Sequence, residues 1–94
     1  MNKSVVYLDH AATTPVDPRV VEAMQPYWSD VYGNTSSIHA VGRAALKALD
    51  EARRTVADIL RCHPTEVVFT GCGTESDNLA VRGATFGGQH SGRR

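Results

Sequence analysis

Apolar and polar positions along the chain predict two short strands and three helices. The apolar run at residues 5–8 is typical of a strand, and the small polar residues after it are typical of a loop. The first helix is expected to begin at Asp17 and Pro18, because aspartate caps a helix and proline fits its first position. Pro26 is expected to end that helix, and residues 27–33 are expected to form an irregular link.

The longest periodic segment predicts an amphipathic helix over residues 37–61. Ser36 or Ser37 is expected to cap its N-terminus, and Pro64 to close the turn after it. Its apolar side chains recur at steps of three and four residues, and they are Ile38, Val41, Ala45, Leu49, Ala52, Val56 and Leu60.

A strand is predicted at residues 66–70, followed by a glycine-rich turn at 71–74 and a helix that continues through Ala84. In a strand, turn and helix in this order, the free N–H groups at the N-terminus of the helix can bind an anion. Two interpretations stay open from the residues alone. The turn is either a phosphate cradle to which Thr74 adds a hydroxyl, or a plain connection in which Thr74 caps the helix together with Asp77.

The turn does not fit a nucleotide. A Walker motif needs Gly-Lys-Ser/Thr, and no lysine stands there. A dinucleotide fingerprint needs a third glycine where Ser76 stands, and an acidic residue about 20 positions later, where none follows Asp77. Glu75 also places a negative charge beside the turn, which suits a pyrophosphate poorly unless the side chain points away.

Composition narrows the function classes further. The 94 residues carry 10 Lys+Arg and 10 Asp+Glu, so there is no basic field for nucleic acid. No apolar run approaches the ~20 residues of a membrane span. The two cysteines make neither a disulfide framework nor a zinc pattern, so no metal site is expected. A reducing, cytoplasmic setting is the expectation.

The predicted elements are too few to close a core. A parallel sheet needs several strands with both faces covered, and only two short strands are predicted. Residues 87–94 contain no large apolar side chain. We therefore expect the chain to be the front part of a larger α/β domain, truncated within this polar tail.

Three segments resemble the N-terminal part of cysteine desulfurases, which belong to the class V aminotransferase family of pyridoxal-phosphate enzymes. They are YLDHAATTPVDPRVVEAM at residues 7–24, YGNTSSIHAVGRAA at 32–45 and VVFTGCGTESDNLAVRGA at 67–84. They stand in family order and with family spacing. The resemblance implies an α/β fold-type-I aminotransferase architecture that is incomplete in this chain.

The resemblance also implies a division into domains. Residues 1–16 would belong to the small domain and the active-site edge, and residues 17–86 would begin the large domain that binds pyridoxal phosphate. Residues 87–94 would be the polar tail. The segments around His10 and Asn34 would lie near the mouth of the active site.

The implied cofactor is pyridoxal 5'-phosphate, and the positions that match the family's phosphate-binding residues are Gly73 and Thr74. No catalytic residue is expected in this chain, because the persulfide cysteine and the Schiff-base lysine of the family lie farther downstream. Cys72 does not match that cysteine, and we expect its role to be structural or incidental. It stands where the family has glycine, so a positive φ there would cost about 1 kcal/mol and weaken phosphate binding. Thr35 replaces a family proline.

The implied activity removes sulfur from L-cysteine and gives L-alanine and an enzyme persulfide, which feeds iron–sulfur cluster assembly or tRNA thiolation. The implied partners are a second copy in a homodimer and an iron–sulfur scaffold or other sulfur-acceptor protein, with no direct nucleic acid and no membrane. The 94 residues alone are expected to be inactive. The alternatives are another class V enzyme, either a selenocysteine lyase or a kynureninase-like enzyme, and a small non-catalytic anion-binding module.

Overall fold

The computed structural model describes residues 4–89, which form four α-helices and one 3₁₀ helix. In chain order these are α1 (Pro18–Met24), α2 (Pro26–Ser29), α3 (Ala40–Leu60), the 3₁₀ helix Pro64–Glu66 and α4 (Gly73–Gln89). The chain divides into two compact units, Met1–Asp50 and Glu51–Arg94, and α3 contributes to both.

Neither predicted strand is paired in the part of the chain that the structure describes. Residues 5–8 and 67–70 form no ladder, although the backbone of Val67 is extended, with φ −99° and ψ 122°. Glu66, expected in the second strand, ends the 3₁₀ helix instead. A strand is defined by ladder hydrogen bonds to a neighbouring strand, and these two segments form no ladder among residues 4–89. The described residues are helical, so the predicted α/β class is not confirmed by the structure.

The first helix begins as predicted. The Asp17 carboxylate accepts a hydrogen bond from the backbone N–H of Arg19 at 2.8 Å, and Pro18 occupies the first helical position. Helix α1 ends at Met24, just before Pro26, as predicted. The irregular link expected after it is wrong in its first part, because Pro26 starts α2, which runs to Ser29. At the first position of a helix the missing N–H of proline has no intrahelical acceptor to lose, so a second helix can begin there.

The predicted cap of α3 is also wrong. The carbonyl of His39 accepts the first helical hydrogen bond, from Arg43 N at 3.0 Å, and His39 Nδ1 accepts from Gly42 N at 3.1 Å. His39 is therefore the N-cap, and Ser36 and Ser37 lie in the turn before it. That turn is closed by Asn34, whose side-chain oxygen accepts from Ser36 N at 3.0 Å.

Two glycines let the segment before α3 lie against its first turn. A Cβ at Gly42 would come within 2.5 Å of the Ser37 carbonyl oxygen and 2.6 Å of that of Asn34. A Cβ at Gly33 would overlap the carbonyl of Val41. Real Cβ atoms do not approach backbone this closely, so the contact requires glycine at both positions.

The C-terminus of α3 forms a Schellman motif. Cys62 N donates to Ala57 O at 3.0 Å, and Arg61 N donates to Asp58 O at 3.2 Å. Arg61 takes the left-handed conformation, with φ 56°, that this motif usually gives to glycine. Two of the carbonyls at the end of the helix, those of Ala57 and Asp58, thereby find partners within the chain.

The 3₁₀ helix Pro64–Glu66 follows at once and is capped at its start. The Glu66 carboxylate accepts from His63 N at 2.7 Å, and His63 Nδ1 accepts from Thr65 N at 3.3 Å. This reciprocal pair is a capping box. The link between α3 and Val67 is thus bonded at both ends.

Little apolar surface is buried in residues 4–89. Ala57, at 0% exposure, is the one buried hydrophobic residue of this part of the chain. The predicted apolar face of α3 is only partly correct, since Leu49 and Val56 are half-buried whereas Leu60 is exposed.

Candidate functional site

The glycine-rich turn leads directly into α4. The Cys72 carbonyl accepts from Ser76 N at 3.1 Å, so Cys72 is the N-cap and Gly73 the first helical residue. Thr74 lies one residue farther in and is exposed. It therefore cannot be the N-cap, and the capping interpretation of Thr74 is wrong.

The Glu75 carboxylate folds back over the turn rather than away from it. Its Oε2 accepts from Gly71 N at 2.9 Å. A Cβ at Gly71 would lie 3.3 Å from the same oxygen, so glycine leaves room for the carboxylate. The negative charge is held at the Gly71 end of the turn, where its sequence position alone could not place it.

The Thr70 hydroxyl also bonds to the turn and to the first residues of α4. Its Oγ1 donates to the Cys72 carbonyl at 3.1 Å and accepts from the Ser76 hydroxyl in a close contact. These bonds join the residue before the turn to the N-cap and to the first turn of α4. The turn is held by its own side chains.

Backbone strain, expected at Cys72 if its φ were positive, is not found. Among residues 4–89, Arg61 is the one non-glycine residue with a positive φ. A Cβ built on Gly73 meets nothing within 4 Å. Cys72, which stands in place of the family glycine, therefore carries no strain of the left-handed kind, and the residue is exposed.

The residues of the turn fit a phosphate group. The first N–H groups of a helix lack intrahelical acceptors, and those of Gly73 and Thr74 belong to this set. Both residues are exposed, and the 17 residues of α4 provide a helix dipole whose positive end lies at the turn. The Thr74 hydroxyl supplies a further donor beside these groups.

A second cluster of polar side chains lies in the loop before α1. The Tyr7 hydroxyl is 3.0 Å from the carbonyl oxygens of both Asp9 and Thr13. The His10 ring stands edge-on to Tyr7 with centroids 4.7 Å apart, and its Nδ1 is 2.8 Å from Thr14 Oγ1. The loop is therefore ordered by its own contacts, and His10 lines an open pocket there with Tyr7 and Thr14.

No group of three or more His, Cys, Asp or Glu side chains in residues 4–89 could hold a metal ion. None of the helices formed by these residues has the length and apolar character needed to cross a bilayer. Cys62 and Cys72 are both free thiols.

Comparison with known proteins places the chain in a family. The family model Aminotransferase class-V matches residues 6–93, and the chain belongs to this family. The resemblance found in the sequence is thereby confirmed.

The curated relatives are cysteine desulfurases. The chain is 56% identical over 81 residues to the cysteine desulfurase of Trichormus azollae, an alignment covering 86% of this chain and 20% of the relative. It is 52% identical over 83 residues to the cysteine desulfurase IscS of Neisseria gonorrhoeae, covering 87% of this chain and 20% of the relative. It is 48% identical over 88 residues to the putative cysteine desulfurase IscS 1 of Bacillus subtilis, covering 94% and 23%. The chain thus spans about a fifth of the length of the relatives it matches.

Sequence reasoning missed a contact between α3 and the segment that leads into the turn. Arg53 donates from its guanidinium to the Val67 carbonyl at 2.7 Å and stacks over the Phe69 ring, 5.0 Å from its centroid. The partners are 14 and 16 residues away, so neither helical nor strand periodicity relates them. The sequence alone assigned no role to Arg53, which is half-buried in the structure.

Proposed function

We propose that this chain is the N-terminal part of a cysteine desulfurase, which removes sulfur from L-cysteine and yields L-alanine and an enzyme persulfide. The names and identities of the relatives support this proposal, as does the class-V family match over residues 6–93. The complete fold would be the α/β fold-type-I architecture, in which segments 5–8 and 67–70 could find strand partners. Residues 1–16 would join the small domain, residues 17–86 would begin the large domain, and residues 87–94 would be the polar tail.

The turn at the start of α4 is the observation that carries the proposal. We assign the phosphate of pyridoxal 5'-phosphate to the N–H groups of Gly73 and Thr74 and to the Thr74 hydroxyl. When bound, the cofactor supplies an electron sink for cleavage at the substrate. The contributions of this chain are to bind the phosphate and to hold the turn in shape through Thr70 and Glu75.

The remaining assignments follow from the same proposal. The complete enzyme would act as a cytoplasmic homodimer and pass its sulfur to an iron–sulfur scaffold or another acceptor protein. The IscS name of several relatives supports the link to cluster assembly. The persulfide cysteine would lie outside this chain, which leaves Cys72 a structural position.

Replacing Thr74 by valine in the full-length protein tests the assignment. The substitution keeps the shape of the side chain and removes the hydroxyl, and a hydrogen bond to a charged group contributes about 1.5–3 kcal/mol. We expect the dissociation constant for pyridoxal phosphate to rise about tenfold or more, with little change in melting temperature. Equilibrium dialysis of the apoenzyme against the cofactor measures it.

Thr85→Val is the matched control. Thr85 lies on the same helix, and its hydroxyl donates to the Val81 carbonyl at 2.8 Å. Its replacement changes a helical threonine without touching the turn, so cofactor affinity should stay at the wild-type value. If the Thr74→Val variant and the wild type bind pyridoxal phosphate with equal affinity, the Thr74 hydroxyl does not bind the cofactor.

A further inference from the structure

We infer that Arg53 is a positioning residue for the phosphate turn, holding the segment 67–70 so that α4 begins in the right place. The inference rests on the proposed function, because it concerns how that cofactor site is held. Arg53 itself does not touch the turn. It acts through the backbone of the residues that enter it.

Arg53 contacts the segment 67–70 at two points. Its Nη1 donates to the Val67 carbonyl at 2.7 Å, which is a short, charge-assisted bond. Its guanidinium lies over the Phe69 ring at 5.0 Å from the centroid, within the range of a cation–π contact. Two contacts on residues two apart fix both the position and the direction of this backbone.

The fixed segment passes directly into the turn. Thr70 follows Phe69, and its hydroxyl bonds to the Cys72 carbonyl and to Ser76. The next residue, Gly71, is held by the Glu75 carboxylate. A continuous path of bonds therefore runs from α3 through Arg53 to the first turn of α4, all within the unit Glu51–Arg94.

Only arginine can make both contacts at once. Its planar guanidinium stacks on a ring face while an N–H in the same plane reaches a carbonyl, whereas a lysine ammonium is a compact charge. Within residues 4–89, Arg53 is the side chain that bonds the Val67 carbonyl and covers the Phe69 ring. Loss of Arg53 should therefore loosen the turn without removing any phosphate donor.

The test compares Arg53→Met, Arg53→Lys and Phe69→Leu in the full-length protein. Arg54→Met is the control, because it removes the same charge from the next position on α3, which is exposed. Three quantities are measured: the dissociation constant for pyridoxal phosphate, the visible circular dichroism of the bound cofactor, and amide hydrogen exchange at Gly71 and Ser76 in the apoprotein. The dichroism reports cofactor orientation, which a merely less stable protein would retain.

We expect Arg53→Met to raise the dissociation constant about tenfold, to alter the dichroism, and to speed exchange at both amides. Arg53→Lys should restore part of the affinity, Phe69→Leu should show a smaller loss, and Arg54→Met should match the wild type. If Arg53→Met does not fold, the lysine and leucine variants decide, and wild-type affinity in both would overturn the inference.

A lower melting temperature with unchanged affinity, dichroism and exchange would also overturn it. The exchange measurement separates this inference from the proposed function, because it needs no cofactor. If the wild type binds no pyridoxal phosphate and Arg53→Met still speeds exchange, the cofactor assignment fails and Arg53 remains the residue that positions the turn. If exchange is unchanged, the positioning role fails whatever the cofactor does.

Discussion

At the residue scale, Asp17 binds the start of α1 and the side chain of Arg19 at the same time. Its Oδ1 accepts from Arg19 N at 2.8 Å and from Arg19 Nε at 3.0 Å, and its Oδ2 accepts from Arg19 Nη2 at 2.7 Å. The side-chain bond to Arg19 first, and the backbone bond second, hold the pKa of Asp17 below its ordinary value. The same pair raises the pKa of Arg19. Because both groups face water, the pair contributes little to stability by itself.

The depressed pKa gives α1 a defined response to acid. A carboxyl whose pKa is lower in the folded state stabilises that state fully above its unfolded pKa, and this contribution is lost as the pH falls through the folded value. We therefore expect the start of α1 to fray at acid pH, below the usual titration range of aspartate. Titration of the Asp17 carboxyl carbon by NMR in the full-length protein measures the shift. In Arg19→Ala the pKa should move up, and an unchanged titration curve would show that Arg19 does not set it.

At the element scale, sequence patterns predicted which segments are helical better than they predicted the residues at which the helices begin and end. The cap at Asp17 and the period of α3 were readable because both rest on neighbouring residues. His39 was not, since histidine is an unusual cap and only the ring orientation shows that Nδ1 accepts from Gly42. The strand predictions were not confirmed, because strand pairing depends on partners that residues 4–89 do not provide. For the candidate site, the sequence predicted where the turn lies. It could not predict the bond from Gly71 N to Glu75 or the contacts of Arg53 with Val67 and Phe69, because these depend on the directions of the side chains.

The contact at the start of α3 makes Gly42 the critical residue of that helix. In the full-length protein Gly42→Ala should lower the free energy of unfolding by about 1–3 kcal/mol, because the new methyl group meets the carbonyls of Asn34 and Ser37. Gly83→Ala is the control. It lies inside α4 with open space around it, and alanine there should stabilise the helix by about 0.5–1 kcal/mol. Denaturant unfolding measures both, and two changes of the same sign would show that the Gly42 contact is not tight.

At the scale of the whole molecule, exposed apolar side chains dominate the energetics. Large residues such as Trp28, Ile38 and Val5 are 73%, 91% and 85% exposed. Burial of apolar area is the main favourable term in folding, at about 25 cal/mol per Å². With Ala57 as the buried hydrophobic residue of positions 4–89, that term is small beside the conformational entropy lost in ordering these residues.

The 94 residues expressed alone should therefore not fold cooperatively and should release no sulfur from cysteine. The helices lack most of the apolar contacts that stabilise helices in proteins, so we expect a broad, shallow loss of helical signal on heating. Circular dichroism melts and urea titration of the purified chain measure this. A sharp two-state transition with an m-value that fits the length of the chain would contradict the prediction.

The bonded link after α3 has a consequence for how this part of the family can change. Residues 61–66 join a helix end closed by a Schellman motif to a 3₁₀ helix closed by a capping box. One added or deleted residue would break both motifs and carry Val67 and Phe69 out of reach of Arg53. The length of the link therefore sets the position of Val67 and Phe69 relative to Arg53. We therefore expect substitutions of its exposed side chains to be tolerated better than a change in the number of its residues.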